Sequence, residues 1–244
     1  MLLTSSKNER VKYYTKLMNS KKERDKERLF IVEGEHLVKE ADMANVVKEV
    51  IISDKKYDQY NRYPHYYVTD EIMNKICDTK TPQGIIAVCK QQENQTFNSL
   101  NRLLLLDNIQ DPGNLGTIIR TCDAFNFDGI VMNQRTVDVY NPKVVRATQG
   151  AIFRVPMIKR DLVSYLSYLK ENDVIVYGTS LEGEDLSQIK RSQNMAFIMG
   201  NEGNGVSETL LQLAHKNIYI EMNGKSESLN VGIAAAIVMY NFRK

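Results

Sequence analysis

Val11, Tyr14, Leu17 and Met18 recur at helical spacing among mostly polar and basic residues, which predicts an amphipathic helix near the start of the chain. Short apolar runs at 29–32, 46–53 and 84–89 predict strands, and 34–44 and 70–77 carry helical patterns. A polar, tyrosine-rich stretch reaches Tyr63 between them. This alternation predicts a small α/β domain over residues 1–92. In 90–101, KQQENQTFNSLN, only Phe97 and Leu100 are apolar, so residues 93–101 read as a linker.

Residues 102–244 repeat the pattern more strongly. Continuous apolar runs fall at 103–106, 130–132, 155–158, 174–177, 197–199 and 218–220, without the alternation of a half-exposed sheet. Such runs predict strands buried on both faces, as in a parallel sheet. Helical patterns at 117–125, 162–171, 207–214 and 230–242 lie between most of them or close the chain. A doubly wound α/β domain follows, with its ligands expected outside the carboxyl ends of the strands.

Composition narrows the class. The chain has 244 residues, 43% hydrophobic and 25% charged, which excludes wholesale disorder and collagen-like repeats. The three cysteines, Cys77, Cys89 and Cys122, form no C-x-x-C pair and are too few for a disulfide framework, which fits a reducing cytoplasm. No apolar run is long enough for a membrane span, and the N-terminus lacks the apolar core of a signal peptide. The net charge of +2 says little, but residues 7–28 hold nine basic residues against four acidic ones. That arm reads as either a solvated helix face or a nucleic-acid contact.

Three strand-end segments carry the candidate chemistry. In 103–125, LLLLDNIQDPGNLGTIIRTCDAF, Pro112, Gly113 and Gly116 predict a tight loop, and Asn114 can cap the helix or touch a ligand. Arg120 lies roughly 200° around the helix from Ile118, away from the apolar stripe, where a guanidinium is either solvated or grips a phosphate. In 199–207, MGNEGNGVS, three glycines allow close backbone approach to a ligand, but the spacing departs from G-x-G-x-x-G, which argues against a dinucleotide site. Glu202 in that turn is either a solvated carboxylate or a positioned acceptor. The third segment, 218–242, contains Gly224-Lys225-Ser226, yet a P-loop needs glycine where Tyr219 stands. What remains is a polar loop with Ser226, Ser228 and Asn230, then a helix apolar on nearly all sides, which predicts burial all round within the fold or at a subunit interface.

Together N-L-G-T-I-I-R (114–120), G-N-E-G-N-G (200–205) and S-L-N-V-G-I-A (228–234) resemble the SpoU (TrmH-like) family of RNA 2′-O-ribose methyltransferases. The front half shares the resemblance: I-V-E-G-E-H-L-V-K-E-A (31–41) and T-P-Q-G-I-I-A-V (81–88) look like the family's small L30e-like substrate-binding domain. The resemblance implies an α/β fold whose C-terminal parallel-sheet domain is threaded as a deep trefoil knot, and a homodimer. It implies S-adenosylmethionine as cofactor, with Gly200, Ile220, Met222 and Leu229 holding it. Asn114, Arg120, Glu202, Ser228 and Asn230 would form the polar reaction site. Arg120 is then either the base for the ribose hydroxyl or, better suited to a guanidinium of very high pKa, a group fixing phosphate and hydroxyl.

No metal is implied, and His36, His65 and His215 lack metal-ligand spacing. The partner implied is RNA, ribosomal RNA above tRNA because of the additional front domain; a non-catalytic ribosome-assembly factor is the competing class. The basic arm would collect RNA phosphates, and Tyr57, Tyr60, Tyr63, Tyr66 and Tyr67 would either stack bases or pack in the core.

Overall fold

The structure, a computed structural model, describes residues 2–92 and 95–243. Contacts divide the chain into two compact units, one of residues 1–93 with Asp138–Phe153, the other Asn94–Val137 with Arg154–Lys244. Residues 93 and 94 of the expected linker lie outside the described residues.

In the first unit β1 (Leu2–Leu3) precedes two helices, α1 (Glu9–Asn19) and α2 (Lys21–Glu27). The basic arm is therefore broken: Ser20 adopts an extended conformation and its side chain caps α2 by accepting from the Glu23 N–H at 3.3 Å. Next come β2 (Leu29–Glu33), α3 (Glu35–Met43), β3 (Val47–Ile52), a short 3-10 turn at Lys55–Tyr60, β4 (His65–Val68), α4 (Asp70–Ile76) and β5 (Ile85–Lys90). They form a five-stranded mixed sheet in the order β1-β4-β3-β5-β2. Val11, Tyr14, Leu17 and Met18 of α1 are buried with Ile31, Ile51, Val88 and the α4 residues Ile72, Met73 and Ile76.

The second unit opens with β6 (Arg102–Leu106), α5 (Pro112–Ala124) and β7 (Gly129–Met132). The chain then enters α6 (Pro142–Thr148), which belongs by contacts to the first unit, so the expected uninterrupted C-terminal domain is interrupted at Asp138–Phe153. The second unit resumes with β8 (Met157–Lys159), α7 (Leu162–Glu171), β9 (Ile175–Asp185), β10 (Met195–Met199), α8 (Glu208–Leu213), β11 (Lys216–Tyr219) and α9 (Val231–Asn241). Its six strands are all parallel, in the order β11-β9-β10-β6-β7-β8. β6, β7 and β10 are buried along their whole length, which is why their sequences show no alternation.

Two local readings change. Pro112 and Gly113 are not a loop before the helix but its first turn: Asp111 caps α5 by accepting from the Asn114 N–H at 2.8 Å, and proline at the first helical position loses no hydrogen bond. The outward basic face of the arm also has an exception. Arg24 is 3% exposed, donates to the carbonyls of Leu17 and Met18 at 2.9 Å each, and pairs through Nε and Nη2 with Asp138 Oδ2 at 3.1 and 2.8 Å. It thereby satisfies the carbonyls that end α1.

Candidate active site

Strand order explains why distant segments meet. β10 lies between β6 and β9, and β11 flanks β9, so the carboxyl ends of β6, β10 and β11 deliver residues 107–114, 200–207 and 220–230 to one edge. A cleft of about 1020 Å³ opens there, lined among others by Gly200, Glu202, Ile220, Met222, Ser228, Leu229 and Asn230.

The glycine turn is held by its own backbone. Asn201 and Gly205 exchange two N–H to carbonyl bonds at 2.9 Å, and Asn201 Oδ1 accepts from the N–H of Gly203 and Asn204 at 2.9 and 3.1 Å. A Cβ on Gly200 would run into the backbone of Gly205 and Val206, so only glycine closes the turn. Beneath it sits Asp107, 4% exposed: Oδ2 accepts from the Ser207 N–H and Oδ1 from Asn133 Nδ2, each at 2.9 Å. Asp107 is not among the residues the sequence singles out, although a lone acid directly after the four leucines 103–106 is a visible signal.

Three of the expected polar residues form one hydrogen-bonded chain. Asn230 Oδ1 caps α9 by accepting from the N–H of Gly232 and Ile233 at 2.9 and 3.3 Å, which leaves its Nδ2 to donate to Asn114 Oδ1 at 2.9 Å. Asn114 Nδ2 in turn donates to Glu202 Oε1 at 3.1 Å. The helix N–H groups at one end and the carboxylate at the other set the orientation of both amides. Glu202 also accepts from the N–H of Asp111 at 3.1 Å and of Gln110 at 3.2 Å. Partial burial would push its carboxyl up, but the Asn114 amide and the backbone N–H groups of Glu202, Asp111 and Gln110 hold it below the usual value. Glu202 is thus an ionised anchor for the chain.

Arg120 is not brought into the cleft of its own chain. It is exposed on α5, and among the described residues none forms a hydrogen bond or ion pair with it. Thr117, one turn earlier, lies against Gly232 of α9, so Arg120 stands beside that helix. α9 itself is not buried all round: Ile233, Ile237 and Tyr240 are 52%, 36% and 57% exposed along one stripe. Among the described residues no group of His, Cys, Asp and Glu could hold a metal ion.

Residues 101–240 match the SpoU rRNA Methylase family, and residues 8–87 match the MRM3-like substrate binding domain. The chain belongs to the SpoU rRNA methylase family. This SpoU methylase is 42% identical over 246 residues, 99% of this chain and 98% of the relative, to the 23S rRNA (guanosine(2553)-2′-O)-methyltransferase RlmP of Bacillus subtilis. An AdoMet-bound rRNA methyltransferase from Sinorhizobium meliloti, 29% identical, matches the SpoU methylase with a TM-score of 0.91 over 99% of this chain and 96% of its own. The A. aeolicus TrmH/SpoU tRNA modifying enzyme, 26% identical, reaches a TM-score of 0.52 over 59% of this chain and 74% of its own. The SpoU methylase is accordingly an S-adenosylmethionine-dependent RNA methyltransferase.

Proposed function

We propose that this enzyme methylates the ribose 2′-hydroxyl of a nucleotide in 23S ribosomal RNA, in the cytoplasm and as a homodimer. The observation that carries the reading is the Glu202–Asn114–Asn230 chain on the rim of the cleft, built from residues of three separate family motifs. The matching of nearly the whole chain to ribosomal RNA methyltransferases, against 59% for the A. aeolicus tRNA enzyme, favours ribosomal RNA over tRNA.

The cleft suits the cofactor. The Gly200 turn leaves no room for a side chain against its own backbone, and Ile218, Ile220, Leu229 and Val231 offer apolar walls to an adenine. Gly200, Ile220, Met222 and Leu229 would hold it, and when bound it supplies an electrophilic methyl group. The chain's own task is to bring the ribose oxygen in line with that methyl and to accept its proton. Ionised Glu202 fixes Asn114, Asn114 meets Asn230, and Ser228 adds a hydroxyl to the cleft lining that holds Glu202 and Asn230. Arg120 acts across the dimer: the uncovered stripe of α9 packs on a second copy, which carries Arg120 to the partner's cleft, where it fixes the RNA phosphate and the reacting hydroxyl. The trefoil threading of the C-terminal segment belongs to the same reading.

RNA recruitment falls to the first unit. Tyr57 and Tyr60 are buried and serve its core, Tyr67 donates to Asp58 at 2.7 Å, and Tyr66 lies under the Arg10 guanidinium at 4.2 Å. Arg10 with Tyr66 and the exposed lysines of α1 and α2 supply phosphate contacts. The test is to map 2′-O-methyl groups on 23S ribosomal RNA from cells with and without the gene. Loss of one methyl, with guanosine 2553 as the first position to inspect, is expected. An unchanged 23S map would overturn the reading.

A further inference from the structure

We infer that Arg154 is a positioning residue for methyl transfer: it occupies Asp123 and so leaves Arg120 uncommitted for the RNA phosphate. The inference rests on the reading of Arg120 as the phosphate-gripping residue. Asp123 follows Arg120 by three positions on α5, so the two side chains share a face and lie within pairing reach. Asp123 also sits in the last turn, where the negative end of the helix dipole disfavours a carboxylate and raises its demand for a cation. Arg154 meets that demand from outside the helix: Nε and Nη2 donate to Asp123 Oδ2 at 3.0 and 2.9 Å. With these side chains 47% and 31% exposed, the pair is an exchangeable surface contact and not a locked core bridge.

Without Arg154, the cation on the same face of α5 that Asp123 can capture is Arg120. A captured guanidinium offers RNA less charge and the wrong direction. Arg154 therefore reaches the reaction through Arg120, without any contact of its own to the reacting atoms.

The experiment is a double-mutant cycle on the full-length protein, read as affinity for a 23S ribosomal RNA transcript at low salt and as kcat against KM. Arg154→Ala should weaken RNA affinity about three- to fivefold, with S-adenosylmethionine affinity unchanged. In the Arg120→Ala background, Arg154→Ala should add nothing. Asp123→Ala alone should keep wild-type RNA affinity, and added to Arg154→Ala it should restore it. Equal losses from Arg154→Ala in both backgrounds would overturn the proposal, since Arg154 would then be supporting the fold or touching RNA itself. Unchanged RNA affinity and turnover in Arg120→Ala would instead remove the reading of Arg120 on which the proposal stands.

Discussion

Replacing Arg102 with methionine should loosen the closing helix by about 2–3 kcal/mol, a size that follows from what the guanidinium holds. Arg102 is 7% exposed; Nε donates to the Phe242 carbonyl at 2.8 Å, and Nη1 to those of Asn101 and Gln193 at 2.6 Å each. The three acceptors are not equal. Asn101 also accepts from the Met195 N–H at 2.9 Å and stays satisfied, and exposed Gln193 can turn to water. Phe242, fully buried at the end of α9, is left with an orphaned carbonyl, at a cost of about 1–3 kcal/mol, to which the Gln193 bond adds about 1. Relief from burying a cation offsets part: burial and neighbouring Arg191 already pull the Arg102 pKa down.

Hydrogen exchange of α9 amides at fixed protein concentration reads this directly. A 2–3 kcal/mol loss lowers protection roughly thirty- to hundred-and-fifty-fold. Arg102→Lys should recover little, because one ammonium cannot span Phe242 and Gln193. Protection of α9 within about threefold of wild type in the methionine variant would show that Arg102 does not hold the end of α9 through the Phe242 carbonyl.

Gly200→Ala should abolish S-adenosylmethionine binding in a folded protein, because the added Cβ displaces Gly205 and Val206; calorimetry checks it. Arg120→Ala should leave cofactor affinity within a few fold but cut methyl transfer by about a hundredfold or more. For Arg120→Lys, a pH–rate profile climbing toward wild-type rates between about pH 9 and 10.5 would instead favour a base. The Glu202 carboxyl is depressed on folding, so the stability it contributes is complete above its unfolded pKa of about 4.3 and is lost as pH falls through the lower folded value. The Asn114 side-chain amide resonance should therefore hold steady down to about pH 4.3 and move only below it. Ile237→Glu on the open stripe of α9 should turn the proposed dimer into monomers in sedimentation at micromolar concentration, whereas a dimer undisturbed by it would place the interface elsewhere.

The parallel sheet was legible because its strands are unbroken apolar runs, and the meeting of Asn114, Glu202 and Asn230 because their motifs stand at strand ends. Three features were hidden for physical reasons. Residues 65–68 carry a strand of histidine and tyrosines whose partly polar side chains mask the pattern; pairing with β3 decides it. Arg24 resembled every other cation in the arm, and only the fold supplies Asp138 and two helix-end carbonyls that make burial tolerable. Asn114, Glu202 and Asn230 could be assembled from motif order, but the absence of Arg120 from the lining of that cleft could not, since helical spacing places Arg120 away from the apolar stripe without saying what the exposed side chain faces.

The return of Asp138–Phe153 to the first unit sets a timetable for synthesis. Arg24 waits 114 residues for Asp138, and Phe30 stays uncovered until Tyr140 and Phe153 arrive beside it. At about 5–20 residues per second that interval lasts about 6–23 s on the translating ribosome. Through it the nascent first unit carries an unpaired cation and an open aromatic face. It reaches its final packing only after β6, α5 and β7 of the second unit have been made, so the order of folding cannot simply follow the order of the chain.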